Sequence, residues 1–216
     1  MSEELADITR ALGRRYDKKA EQWGYCWPSN VSAQLAANTE AILEGLASPE
    51  RADIALDIGT GRRARYLTRI RRLVSKCVGI DISQSTLRSA AKYIADVASG
   101  EPGMFVAASA TSLPFRDGTF SLVVCSEVME YYPIHCVRLL LADIRRILLP
   151  RGRLVVDFPS YANSSAWEVK AAEERDGTAF YIYPESLIRS TILETDFCVT
   201  ATATADCETI YLLNAP

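Results

Sequence analysis

Several features that would narrow the function quickly are missing from this sequence. It has one histidine, His135, and its six cysteines (Cys26, Cys77, Cys125, Cys136, Cys198, Cys207) include no Cys-x-x-Cys pair. With no ligand cluster evident around that histidine, zinc is not expected and no metal is assigned. No apolar run approaches the ~20 residues that a membrane-spanning helix needs, so no membrane partner is expected. The start, Met1-Ser2-Glu3-Glu4-Leu5-Ala6-Asp7, is acidic and polar rather than a secretory signal. The expectation is therefore a cytoplasmic chain with reduced, mostly buried thiols. Excess positive charge is also missing. The net charge of −3 argues against a dedicated nucleic-acid or anionic-membrane binder. There are no internal repeats, low-complexity tracts or Pro/Gly-rich linkers. At 216 residues, 49% hydrophobic and 24% charged, the composition fits a single globular domain over 1–216.

What the chain does have is a rhythm. Residues 3–22 and 31–47 have helical composition, broken at Gly24 and Trp27-Pro28-Ser29-Asn30, and residues 1–50 read as an N-terminal helical cap. From Ile54 short apolar runs take over: Ile54-Ala55-Leu56-Asp57, Cys77-Val78-Gly79-Ile80, Leu122-Val123-Val124-Cys125 and Leu154-Val155-Val156. Runs of this kind suit parallel strands covered on both faces. Between them, Leu87, Ala90, Ala91, Ile94, Val97 and Ala98 share one helical face. Val137, Leu140, Leu141, Ile144, Ile147 and Leu148 share another, most simply as core. A helix over 184–195 and strands over 197–204 and 208–213 complete the reading. The pattern predicts an α/β fold. Its sheet would be doubly wound, Rossmann-like, seven-stranded and mostly parallel, with helices on both faces and an antiparallel last strand. Such sheets bind ligands at the carboxyl ends of their strands, here the first, second and fourth.

Asp57-Ile58-Gly59-Thr60-Gly61-Arg62-Arg63-Ala64 joins the first strand to its helix, and its glycines permit a tight turn and a close ligand approach. Asp81 ends the second strand, where an acid accepts from ribose hydroxyls. The pair points to an adenosine-like ligand. Gly59-x-Gly61-x-x-Ala64 satisfies the dinucleotide fingerprint formally, which keeps a nicotinamide oxidoreductase in view. Asp57 opposes it, because a carboxylate there repels a pyrophosphate and attracts an α-ammonium group. The bland alternative for Asp57 is a strand-end residue tied into the turn.

These residues resemble the class I S-adenosylmethionine-dependent methyltransferases, the small-molecule branch in particular, and the resemblance covers most of the chain. Leu56-Asp57-Ile58-Gly59-Thr60-Gly61 and Gly79-Ile80-Asp81-Ile82-Ser83 resemble the family's first two motifs. The stretch from Ala108 to Phe120 is similar to the adenine-holding segment. Cys125 to Pro133 and Leu148 to Val156 resemble the segment after the fourth strand and the turn into the fifth. Tyr16-Asp17-x-x-Ala20-x-x-Trp23 is similar to the cofactor-covering N-terminal helix.

The resemblance implies S-adenosyl-L-methionine as cofactor, S-adenosyl-L-homocysteine as product and a small-molecule acceptor. It implies that Gly59, Thr60 and Gly61 pass beneath the methionine part and that Asp57 lies near its amino group. Asp81 would hold the ribose and Ile82 would pack on the adenine. Ser109 and Ala110 would approach the adenine edge, Ser126 and Glu127 would border the sulfonium, and Tyr16 would close over the pocket. Arg63 stands where the family carries a third glycine; on a helical wheel it projects toward Tyr66, Leu67, Ile70 and Val74. There it either clamps the cofactor carboxylate or crowds the pocket, whereas Arg62, Arg65, Arg69 and Arg72 form a solvated face. Ser109, Ser121 and Arg151 depart from a family acid, aspartate and glycine. Candidate bases are Glu127, Glu130, Tyr131, Tyr132 and His135. Ser126-Glu127-Val128-Met129 is unlike the motif of relatives that methylate planar amines. The stretch 160–183, with Tyr161, Trp167, Tyr181 and Tyr183, reads as a long loop forming the acceptor wall. The alternative reading is a non-catalytic relative that acts through binding or a partner. An arginine-rich nucleic-acid methylase is a weaker variant, opposed by the acidity.

Overall fold

The computed structural model describes residues 3–21, 37, 41, 54–71, 74–97, 103–204 and 207–216. In chain order these form α1 (Glu3–Glu21), β1 (Ile54–Ile58), α2 (Arg65–Ile70), β2 (Lys76–Asp81), α3 (Gln84–Val97), β3 (Met104–Ala107) and β4 (Phe120–Cys125). A 3₁₀ turn (Met129–Tyr131), α4 (Ile134–Ile147), β5 (Leu148–Pro159), α5 (Ser164–Arg175), α6 (Glu185–Leu193), β6 (Cys198–Thr204) and β7 (Glu208–Asn214) follow. The helix expected over 31–47, Trp23 and Cys26 lie outside the described residues. Among those described, no helix is long and apolar enough to cross a membrane.

The strands form one sheet in the order β3-β2-β1-β4-β5-β7-β6, parallel except for β7, which runs antiparallel to both neighbours. Alternation along the strands builds two cores. Leu56, Ile58, Val123, Cys125, Val156, Phe158 and Tyr211 face one side, packed with Leu12 of α1, Val137, Leu140 and Ile144 of α4, and Ile188 of α6. Ala55, Leu122, Val124, Val155 and Ile210 face the other, against Tyr66, while Ala64 and Leu67 meet Ala90 and Ile94 of α3. Covering both faces is what makes the strand runs continuously apolar.

The doubly wound sheet is as expected. Four details differ from the reading of the chain. First, β3 was not marked as a strand; it has four residues on the sheet edge, with Met104 and Ala107 exposed. Second, β5 starts at Leu148, with a break in register that skips from Phe120↔Leu148 to Leu122↔Arg153. Arg151 takes the turn-glycine conformation there, at φ 60°. Third, residues 160–183 are not a long loop. They contain α5, capped by Asn163, whose Oδ1 accepts from the Ser165 N–H at 2.8 Å. Fourth, Arg63 is not on a helix. Ala64 adopts a left-handed conformation (φ 43°), α2 begins only at Arg65, and Arg63 is an exposed turn residue.

Candidate functional site

The carboxyl ends of β1, β2 and β4 converge on the glycine turn. Gly59 and Gly61 have φ of 74° and 66°, a region that disfavours any side chain. A Cβ on Gly59 would sit 2.4 Å from Val128 Cγ2, so the segment after β4 descends directly onto the turn. The Gly59 and Thr60 amides both donate to the Ile80 carbonyl, at 2.9 Å each, and the Thr60 hydroxyl donates to the Asp57 carbonyl at 3.0 Å. The turn is thereby fixed to both strands before any ligand arrives.

Asp81 takes one backbone donor on each oxygen, Gly61 N–H at 3.1 Å and Ser83 N–H at 2.9 Å. A carboxylate offers about four lone-pair sites, so two remain for ligand hydroxyls. Burial pushes its pKa up to about 6, against the pull of those two amides. Ser83 caps α3, its hydroxyl accepting from Thr86 N–H at 3.0 Å and donating to Asp17 of α1 at 2.6 Å. Asp57 differs. It is 1% exposed, neither carboxylate oxygen accepts a well-formed hydrogen bond, and burial drives its pKa to about 7 against weak contacts from the Thr60 hydroxyl and the Leu67 amide. A buried carboxylate so weakly partnered is one that a cationic group would answer.

The other nominated residues surround this centre. Ile82 is half-buried in the larger core, with Gly13 of α1 lying over it. The Ser109 hydroxyl accepts from Thr111 N–H at 3.1 Å and shares a 2.8 Å bond with the Thr111 hydroxyl, which in turn meets Thr9 of α1 at 3.2 Å. Ala110 is half-buried beside it. Tyr16 lies edge-on to Tyr131 at 6.1 Å between ring centroids. Ser126 donates to Asp157 Oδ2, and the Glu127 amide donates to Asp157 Oδ1 at 2.8 Å. Glu127 itself is at φ 57°, with Oε1 3.7 Å from Arg65. That ion pair corrects the view of Arg65 as part of a plain solvated face.

Tyr131 and Tyr132 are buried, and burial holds both phenols well above the usual range, so neither is a ready base. His135 sits exposed at the start of α4, its Nε2 2.9 Å from Glu4 Oε2, with Cys136 close enough to complete a three-donor group. The expectation that no ligand cluster accompanies His135 is corrected to that extent.

Sequence reasoning missed Asp157, Glu208 and Glu173. Asp157 carries the same signature as Asp57, an acid ending an apolar run, and could have been found by it. Glu173 could not, because its partners are distant in sequence. Arg15 reaches Glu173 at 2.6 Å and Asp176 at 3.0 Å, with Lys19 at 3.8 and 3.7 Å from the same acids. This network latches α1 to α5, and burial is the main cause that lowers the Lys19 pKa. Replacing Glu173 with alanine leaves Arg15 and Lys19, both mostly buried, with only the exposed Asp176 as partner and is expected to cost about 3 kcal/mol. Thermal denaturation and faster proteolysis of α1 report it; an unchanged melting temperature would show the latch to be a solvated pair.

Three comparisons bear on this geometry. Residues 56–156 match the family model described as a methyltransferase domain. The 27-O-demethylrifamycin SV methyltransferase of Amycolatopsis mediterranei is 29% identical, over 76% of this chain and 64% of its own length. The chain therefore spans less than two thirds of the length of that curated relative. Among solved structures, magnesium protoporphyrin IX methyltransferase from Synechocystis PCC 6803 with bound S-adenosylhomocysteine superposes with a TM-score of 0.72 at 15% identity, covering 97% of this chain and 100% of that one. Geranyl diphosphate C-methyltransferase from Streptomyces coelicolor A3(2) gives 0.66 at 12% identity, covering 83% and 76%. At these identities the likeness to solved structures is one of fold.

Proposed function

We propose that the protein is a methyltransferase of the class I fold that binds S-adenosylmethionine and transfers its methyl group to a small-molecule acceptor. The match of residues 56–156 to the methyltransferase-domain family model and the likeness of fold to solved methyltransferases support this reading. The observation that carries the reading is Asp57, a buried carboxylate without a well-formed hydrogen bond, beside a left-handed glycine turn. S-adenosylmethionine, when bound, supplies a methyl carbon already activated by its sulfonium, leaving S-adenosylhomocysteine. The work left to the chain is binding and alignment.

Asp57 holds the α-ammonium group, and Gly59, Thr60 and Gly61 let the ligand lie against the backbone. Asp81 accepts from the ribose hydroxyls with its two spare lone pairs, and Ile82 packs on the base. Ser109 and Ala110 border the adenine edge, where the Ser109 hydroxyl is already engaged with Thr111 and supplies no charged acceptor. Ser126 and Glu127 lie at the reacting end and Tyr16 covers the site. Arg63, exposed at the shoulder of the turn, is left out of this set. Residues 160–183 form the acceptor wall in this reading. It is supported by the Tyr181 amide donating to the Glu130 carbonyl at 2.7 Å and the Tyr183 hydroxyl donating to the Tyr132 carbonyl at 3.1 Å.

Holding the acceptor in line can by itself remove ~7–11 kcal/mol of barrier. A base is needed only where the acceptor must lose a proton, and Glu127 is the candidate. Burial raises its pKa and Arg65 partly restores it. The names of the three relatives give three unrelated small molecules, which supports the acceptor class and leaves its identity to this chain's own walls.

Calorimetric titration with S-adenosylmethionine, S-adenosylhomocysteine and reduced nicotinamide dinucleotide tests the reading. Saturable binding of the two adenosyl ligands alone is expected. Binding of neither would leave a methyltransferase-fold protein that works through a partner.

A further inference from the structure

Away from the cofactor site, the first turns of α1 and α4 bring three different donor side chains together. Glu4 Oε2 lies 2.9 Å from His135 Nε2. One carboxylate oxygen of Glu4, one ring nitrogen of His135 and the Cys136 Sγ all lie within 4.8 Å of one another. His135 and Cys136 are consecutive in the first turn of α4, where the Cys136 amide donates to the Pro133 carbonyl at 2.8 Å. Glu4 comes within reach of both from the other helix. The core fixes that meeting point, because Leu5 and Leu12 of α1 and Val137 and Leu140 of α4 are buried in the same cluster as Cys136. Cys136 is itself fully buried and in no disulfide, whereas the side chains of His135 and Glu4 are 58% and 56% exposed. An exposed carboxylate–imidazole contact adds little to stability by itself, and it gives no role to the sulfur.

The donor types select the ligand. Magnesium and calcium take oxygen donors, whereas one imidazole nitrogen, one thiolate and one carboxylate oxygen form a set suited to zinc. Zinc holds these at about 2.0–2.1, 2.3 and 2.0–2.2 Å in a tetrahedron, which puts the donor atoms about 3.3–3.6 Å apart. The Glu4–His135 contact must then open by about 0.5 Å, a movement open to two exposed side chains. Among the described residues no fourth histidine, cysteine or acid joins the group, so water takes the remaining position.

We propose that Glu4, His135 and Cys136 bind a zinc-type divalent ion that staples the start of α1 to the start of α4. The Cys136 thiol gives its proton to solvent as the sulfur–metal bond forms, with no change of oxidation state. The staple matters because α1 carries residues to the proposed cofactor site. Tyr16, lying against Tyr131, and Asp17, accepting from Ser83 at 2.6 Å, sit about 18 Å further along the helix at 1.5 Å per residue. Arg15 and Lys19 latch that end to Glu173 and Asp176. The ion holds the other end. At that distance it takes no part in methyl transfer, and the site stands independently of the methyltransferase reading.

The test titrates tag-free, full-length protein with Co²⁺ and then with Zn²⁺, its thiols kept reduced by a phosphine. Co²⁺ is expected to bind with thiolate-to-cobalt charge-transfer absorption and the intense visible bands of tetrahedral coordination. Zn²⁺ should displace it, with a Kd at or below about 10 μM. At 100 times its Kd, Zn²⁺ should raise the melting temperature by about 5–10 °C. His135→Ala removes an exposed side chain and should weaken Zn²⁺ binding at least about 10-fold. Cys136→Ser should abolish the charge-transfer band; if that variant does not fold, Glu4→Gln takes its place and should also weaken binding at least about 10-fold. A zinc Kd above about 10 μM, cobalt spectra without thiolate charge transfer, no zinc-induced rise in melting temperature, or a folded variant that titrates like wild type would overturn the inference.

Discussion

Replacing Asp57 with alanine is expected to lower the affinity for S-adenosylhomocysteine about 100-fold, the loss of roughly 3 kcal/mol that follows removal of one partner from a buried charge pair. The size follows from the environment. Asp57 is 1% exposed, without a well-formed hydrogen bond on either oxygen, and beside Gly59 and Gly61, whose conformation leaves the backbone open to a ligand. In a dry site a single ammonium–carboxylate contact is poorly screened, so its removal is felt in full. The control is 5′-methylthioadenosine, which keeps the adenosine and thioether but has no amino-acid group. Its affinity should change less than about 3-fold, since Asp57 offers it no charge-assisted contact. Titration calorimetry of both ligands against both proteins closes a double-difference cycle. Equal losses for the two ligands would mean that alanine has merely disturbed the turn, and no loss for either would remove Asp57 from the site.

The same burial explains why parts of the site were legible in the sequence. Asp57 and Asp81 each end a run of apolar residues, and a charge in that position is conspicuous because a strand covered on both faces has no solvent to offer it. Gly59 and Gly61 announce a left-handed turn. These are local signals, and the strands, α4 and the hairpin β6–β7 were legible for the same reason. Other features depend on the folded chain. Glu208 gains its meaning from facing the end of β5, and Glu173 from a bond to Arg15 across a sequence separation of 158. Arg63 was misplaced because Ala64 is left-handed and delays α2, which shifts the helical phase so that Arg65 turns to Glu127. Residues 164–175 looked like loop because α5 buries little besides Ala166, Val169 and Glu173, too thin a stripe for a helical period to stand out. β3 was missed because an edge strand of four residues, half exposed, carries no run long enough to read.

Stability without ligand is expected to fall as pH rises from 5 to 8, and S-adenosylhomocysteine should reverse the trend. Asp57 and Asp157 have pKa values raised to about 7, and Asp81 to about 6, each chiefly by burial. The unfolded chain releases these protons near the ordinary aspartate value of 3.8. Between those limits the folded state binds more protons than the unfolded state, so stability declines with rising pH. The contribution is fully present below about pH 4, is lost progressively up to pH 6–7, and is flat above. A shift of roughly three units in Asp57 corresponds to about 4 kcal/mol as an upper bound, since each unit is worth about 1.4 kcal/mol. At about 2–4 °C per kcal/mol for a chain of this size, the melting temperature should drop on the order of 10 °C across the window. The ligand ammonium pairs with Asp57 only once that proton has left, so affinity should rise about tenfold per pH unit up to pH 7 and then level off. The stabilisation by ligand therefore grows with pH while the ligand-free protein weakens. Asp57→Asn should flatten the affinity trend and reduce the ligand-free decline to the share of Asp157 and Asp81, because it removes one titrating group and keeps its shape. Scanning fluorimetry of wild type and Asp57→Asn with and without S-adenosylhomocysteine separates the terms. A ligand-free melting temperature that climbs between pH 5 and 8 would mean these acids are ionised and paired in the folded protein, and the cation site proposed at Asp57 would lose its physical basis.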